Sequence, residues 1–466
     1  MLNRAILFCA SLLYLSTSSF AQTDTNFHSD VSPLGAIRTV GETGADTVNG
    51  AILDLEDCIK YALRHQPALN QSLIDEAIAR TNNSIAVSNW LPQVQGTANY
   101  IHYFQLPTAF TPLNGQLVAV KTGLNNTSTP AIGVTQNIFS TDALLAIRAS
   151  RLNTALSKEN TKGTKIDLVS DVSKSFYDLL LSIQQIGVYT EDTARLIKNK
   201  SDAYHQYVSG IVDKVDFKEA SISLNNSMYQ LKASTEAVQA KYAILKQFMG
   251  YPSDKKFTVR FDTSEMMQDI YVDTTEQLQY EKRIEFQQLM LMRNIQKETT
   301  AYYHLNWLPS VSAFYNYDYE YEANKFSDLY SQSYPYSFIG LQLSVPIFTG
   351  FRRIENVHKS QLQEKRIDWD EVNLKLAIYS EYKEAMSNYK SNLYNLHEQS
   401  DNVGMAREVY EIVRLQYREG IKAYLDVIVA ESNLETSEIN YLNALFQLLQ
   451  SKIDLQKAMG DIPTEI

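Results

Sequence analysis

The groups with which this chain could do chemistry are seven histidines, one cysteine beyond the N-terminal segment, and a surplus of carboxylates. The histidines (His28, His65, His102, His205, His304, His358 and His397) stand far apart in the sequence. There is no G-x-S-x-G elbow, no H-E-x-x-H helix, no phosphate-binding G-x-x-x-x-G-K loop and no C-x-x-C pair. His65 and Asp75 are near neighbours, but helix ends commonly carry such residues. Cys58 falls in an apolar-periodic stretch and reads as a small packed side chain. No catalytic, cofactor-binding or metal-ligating set is therefore expected, and the chain reads as something other than an enzyme.

What the sequence repeats is non-covalent. Gln206-Tyr207-x-x-Gly210-Ile211 returns as Gln416-Tyr417-x-x-Gly420-Ile421, and Asp216 returns as Asp426. Asn89-Trp90-Leu91-Pro92 returns as Asn306-Trp307-Leu308-Pro309, Ile138-Phe139 as Ile347-Phe348, and Met249-Gly250 as Met459-Gly460. The copies are far longer than solenoid repeats. A duplication on this scale suits a symmetric wall better than a single pocket.

The elements that must hold these turns are helices of unusual length. No proline interrupts the chain between Pro130 and Pro252 or between Pro346 and Pro463. Asp142 to about Tyr207 and Phe351 to about Tyr417 each read as one helix, ~100 Å long at about 1.5 Å per residue. Apolar residues recur at threes and fours. One series is Leu168, Val172, Phe176, Leu179, Leu180, Ile183 and Ile186; the other is Leu374, Ile378, Tyr382, Met386, Tyr389, Leu393 and Leu396. Both are coiled-coil-like stripes. Gly210 and Gly420 allow the left-handed backbone that ends a helix, and partner helices return over Asp213–Met249 and Lys422–Met459. Two shorter helices are expected earlier, from Ile52 to about His65, stopped near Pro67, and from about Leu69 to Trp90.

Four segments alternate with period two instead. Val311, Ala313, Tyr315, Tyr317, Tyr319 and Tyr321 oppose Ser312, Asn316, Asp318, Glu320 and Glu322, and only Phe314 breaks the pattern. The other three lie near 93–105, 130–139 and 336–348. Each is close to the 9–11 residues of a membrane-spanning strand, and the tyrosines suit interfacial girdles. Pro107–Thr127 and Ala323–Tyr334 read as loops within each pair. Four strands cannot close a barrel, and an open edge in lipid leaves amides and carbonyls unpaired. Strands that span a membrane must then be pooled from several chains.

The N-terminus reads as an export signal over residues 1–21, with Arg4, an apolar Ala5–Leu15 run and a Ser19-Phe20-Ala21 cleavage site. Residues 22–51 read as a flexible polar arm. Cleavage removes one base and no acid from a chain of net charge −11, which argues against nucleic acid as a partner. With Cys9 removed, Cys58 has no partner for an intrachain disulfide.

The order of elements resembles the TolC-like outer membrane efflux proteins. The motifs that carry the likeness are the Trp-Leu-Pro before the strands, the Pro346-Ile347-Phe348-x-Gly350 before the long helix, and the tip signature Tyr417-x-x-Gly420 with Asp426-Val427. The first copy is looser, at Tyr207-x-x-Gly210 and Asp216-Phe217. The resemblance runs from about Ile52 to Gly460. It implies a mainly α chain with a transmembrane β-barrel, assembled as a homotrimer with four strands per protomer in the outer membrane and an α-helical tunnel in the periplasm. The repeats would span 52–251, with its helical hairpin at 142–250, and 278–461, with its hairpin at 351–460, joined by a linker at 252–277. The function implied is a passive exit duct served by a periplasmic adaptor and an inner-membrane transporter. Adaptor docking falls on Gly210, Ile211, Asp213, Val215, Asp216, Gly420, Ile421, Leu425 and Asp426. The family's acidic gate, carried over by spacing, falls on Glu411, with Arg414 and Asp202 as further candidates. A Glu411–Arg414 surface ion pair is the plainer reading of the first two. The alternative to the duct is a periplasmic coiled-coil adaptor, which would carry one helical hairpin rather than two.

Overall fold

The computed structural model describes residues 50–113, 116–260, 270–273, 275 and 277–464; the expected export signal and nearly all of the polar arm lie outside them. Two long helical hairpins dominate. Helix α3 (Thr141–Val208) returns as α4 (Lys214–Met249), and α6 (Arg352–Arg418) returns as α7 (Tyr424–Met459). Shorter helices α1 (Leu55–His65), α2 (Pro67–Ser88) and α5 (Ile284–Leu305) flank them. Helices α2 and α5 pack on α3, α5 also packs on α6, and α3 meets α7, joining one hairpin to the other.

The stripes are where the helices meet. Leu168, Val172, Phe176, Leu179 and Leu180 of α3 are buried with Leu245 and Met249 of α4, Tyr382, Met386 and Tyr389 of α6, and Leu448, Leu455 and Met459 of α7. Ile183, Ile186 and Leu393 pack against them half-buried. A second cluster near the hairpin tips holds Ala203, Ala220, Tyr410, Tyr417, Tyr424, Val427, Ala430 and Leu434. Each hairpin's returning helix ends on a left-handed glycine, Gly250 (φ 67°) or Gly460 (φ 82°). A Cβ there would lie 2.8 Å from the His65 carbonyl oxygen or 2.9 Å from that of Lys282. This close passage accounts for the repeated Met-Gly.

Strands β2 (Gln93–His102), β5 (Asn126–Phe139), β7 (Ser310–Ala323) and β8 (Ser333–Ser344) form one antiparallel sheet in the order β2-β5-β7-β8. The register places Val94, Val134, Tyr315 and Ile339 in one row, and Gln95, Gly133, Asn316 and Phe338 in the next. Successive residues point to opposite faces. One face is therefore dominated by aliphatic residues and tyrosines, and the other mixes Gln, Thr, Asn and the carboxylates of Asp318 and Glu320 with Phe314, Tyr336 and Phe338. On the apolar face Val94, Ile132, Ile339, Leu341 and Leu343 are exposed. Among the described residues, β2 and β8 leave both outer edges unpaired.

The structure departs from the expected elements in several places. Ala51–Leu53 is a strand, β1, paired parallel with β6 (Phe257–Val259), so α1 starts only at Leu55. Asp54 sets that start: its carboxylate accepts the Asp57 amide in a capping box. Helix α2 begins at Pro67 itself rather than at Leu69, because a first-turn proline sacrifices no intrahelical bond. The expected loop Pro107–Thr127 contains a separate hairpin, β3 (Thr108–Leu113) with β4 (Gln116–Lys121). Pro112 is tolerated there because a two-stranded ribbon is all edge. Strand β8 ends at Ser344, two residues short of Pro346.

Candidate functional site at the hairpin tips

Both tips are built by the same local chemistry. The Gly210 amide donates to the Tyr207 carbonyl at 3.0 Å and the Ile211 amide to that of Gln206 at 2.9 Å; in the second tip Gly420 donates to Tyr417 at 3.0 Å and Ile421 to Gln416 at 2.8 Å. This is the Schellman pattern, which needs a left-handed residue after the helix. Gly210 and Gly420 both have φ 74°. The repeated Gln-Tyr-x-x-Gly-Ile is thus the recipe for a helix stop.

Past each glycine the chain restarts a helix. The Asp213 carboxylate caps α4 by accepting the Lys214 amide at 2.5 Å. Asp426 reaches back to the Ala423 amide at 3.3 Å and lies 3.7 Å from the Lys422 ammonium. Asp216, its counterpart, has its carboxyl pushed up by partial burial and by Asp213. Among charged neighbours the tips also expose apolar side chains. Ile211 is 71% exposed and Ile421 73%, with Val215 and Leu425 also open.

Above the second tip, Glu411 is exposed and lies 3.8 Å from Arg414, whose guanidinium carbon sits 6.0 Å over the Tyr410 ring. Glu411 and Arg414 are thus within ion-pair distance, the carboxylate exposed and the guanidinium mostly buried. Asp202 is half-buried on α3. With Asp216, it reinforces the burial that pushes the Tyr417 phenol up to about 12. Cys58 is fully buried, and burial, with Asp54 and Asp57 adding, pushes its thiol up to about 12.

Sequence reasoning missed a polar cluster between the hairpins. The Arg195 guanidinium on α3 lies 3.2 Å from Asp192, 3.6 Å from Glu431 and 3.7 Å from Glu438 of α7. The Asn199 amide donates to Glu431 at 2.8 Å, and the Tyr410 hydroxyl donates to it at 3.5 Å. Ser227 of α4 donates to Asp192 at 2.7 Å, and Arg407 of α6 to Glu438 at 2.9 Å. Asp192, Glu431 and Glu438 are all buried. A signal was present: Val427, Glu431, Leu434 and Glu438 share one helical stripe, with carboxylates where aliphatics are expected.

Two repeated hairpins carry a four-stranded sheet whose outer strands β2 and β8 are each unpaired on one side among the described residues. Residues 58–251 and 304–461 match the model of the outer membrane efflux protein family, and the chain belongs to that family. Its members are outer membrane channels of efflux systems with a helical tunnel in the periplasm, and this chain is such a channel protein rather than a periplasmic adaptor. The fold is similar to that of CusC, with a TM-score of 0.72 at 15% identity over 90% of this chain and 95% of CusC. VceC of Vibrio cholerae gives 0.69 at 14% identity over 87% of this chain and 96% of VceC. CmeC of Campylobacter jejuni gives 0.68 at 16% identity over 87% and 85%. No curated protein sequence matches this one. None of the described helices is long and apolar enough to cross a membrane.

Proposed function

We propose that three copies of this chain pool their four-stranded sheets into one twelve-stranded barrel and their hairpins into one tunnel. The assembly is a passive exit duct for cargo delivered by an inner-membrane transporter through a periplasmic adaptor. The observation that carries this reading is the sheet: its exposed apolar face suits lipid, and its unpaired edges β2 and β8 cannot remain open in a bilayer. Edge β8 of one copy joins edge β2 of the next, and closure after three copies leaves no edge.

The tips are the docking site. Gly210 and Gly420 shape them, Asp213, Asp216 and Asp426 restart the helices, and Ile211, Val215, Ile421 and Leu425 present an apolar surface to the adaptor. Glu411 carries the gate charge, partly neutralised by Arg414, and Asp202 contributes from α3. Negative-stain electron microscopy of the detergent-extracted protein tests the assembly. A three-fold particle longer than ~100 Å, with a short barrel at one end, is the expected result. A monomeric particle would remove the duct.

A further inference from the structure

The cluster between α3 and α7 does not balance its charge. Three buried or nearly buried carboxylates, Asp192, Glu431 and Glu438, face Arg195 and the Arg407 side chain, which is 63% exposed. Arg195 is shared among all three acids, and its Nε has no hydrogen-bond partner. Arg407 serves Glu438, and Arg195 is closest to Asp192. Glu431 is left with the hydrogen bonds of Asn199 and Tyr410 and only a distant share of a guanidinium. Beside it lies a polar cavity of about 300 Å³, lined by Asp192, Ser227, Gln230, Glu431, Ser432 and Glu435 among others.

We propose that Glu431 is a proton-operated clasp between the two hairpins. Protonated, it leaves Asp192 and Glu438 balanced by Arg195 and Arg407 and lets α7 pack on α3; ionised, it adds a negative charge with no guanidinium of its own, and α7 and α3 separate around it as water enters. Burying an unpaired charge is far costlier than burying a hydrogen-bonded neutral acid. The groups around Glu431 carry both signs. On α3 they are Asp192, Arg195 and Asn199. On α4 Ser227 holds Asp192. On α6 they are Tyr410, with Arg414 over its ring, and on α7 Tyr424, Glu435 and Glu438. Burial, reinforced by Asp192, raises the Glu431 carboxyl to about 7 against the pull of Arg195, Asn199 and Tyr410. A carboxyl raised in the packed state favours packing in full below its exposed value of 4.5, and that contribution is lost as pH climbs through about 7. The hairpins therefore hold together in acid and loosen above neutrality. The clasp is internal to one protomer and does not rest on the duct reading.

Amide hydrogen exchange of the full-length protein in detergent, corrected for intrinsic rates, tests it in peptides covering 190–200 and 428–440. The open population there should rise about tenfold between about pH 6 and pH 8, as one such group dictates, while peptides from α2 stay constant. Glu431→Gln should be at least as protected at pH 8 as the parent is at pH 6. Asp192→Asn removes a charge that raises Glu431, so the midpoint should move to lower pH. A tenfold rise that persists in Glu431→Gln overturns the clasp. If that variant does not fold, an Asp192→Asn midpoint that stays in place overturns it instead.

Discussion

The Tyr389 hydroxyl, fully buried at the middle of α6, donates to the Ile270 carbonyl at 2.8 Å and accepts the Val272 amide at 2.9 Å. One phenol thus ties the segment between the repeats to the second hairpin. Tyr389→Phe strands both backbone groups in the core and should cost about 1–3 kcal/mol. Chemical denaturation in detergent would show a lowered midpoint with an unchanged slope. A midpoint within error of the parent would mean that the linker is held by something else.

Glycines at equivalent φ differ in their surroundings, and this gives an ordering. Gly420→Ala meets open space and pays only for its left-handed backbone, ~1–2 kcal/mol. Gly460→Ala has the same backbone demand, but its Cβ also meets the Lys282 carbonyl at 2.9 Å, so it should be the more destabilising. Thermal melts of the two variants side by side decide it. Equal losses would argue that the contact at Gly460 relaxes freely.

Ile211 and Ile421 are exposed and touch no core, so replacing either with Asp should change stability by no more than ~0.5 kcal/mol. If the tips dock an adaptor, the double variant Ile211→Asp/Ile421→Asp should reach the outer membrane at parental levels yet lose its cross-link to the periplasmic adaptor in the native host. A cross-link retained at the parental yield would move the docking surface away from the tips.

The Cys58 thiol is pushed up to about 12, so it remains protonated at any pH up to about 10 in the folded protein. A maleimide applied at pH 8 should leave the native protein unlabelled and modify it fully once guanidinium unfolds it. Rapid native labelling would mean that α1 opens on the timescale of the reaction.

The sequence alone determined the duplicated plan. Proline-free stretches with stripes at threes and fours can only be long paired helices, and a left-handed glycine behind Gln-Tyr marks their ends. Alternation in Ser310–Glu322, broken only at Phe314, marks a strand with two unlike faces. These are local properties, written in spacing. What local spacing could not decide was which surfaces meet. The pairing of Ala51–Leu53 with Phe257–Val259 joins residues too far apart for any periodicity to link them. The hairpin inside Pro107–Thr127 hid behind its prolines. The stripe of α7 marks Glu431 as out of place, but its partners Asp192 and Arg195 look like ordinary solvated residues on α3, and the cluster became visible only when α3 and α7 were laid together. Burial is decided by the partner helix, and that partner is set by tertiary packing.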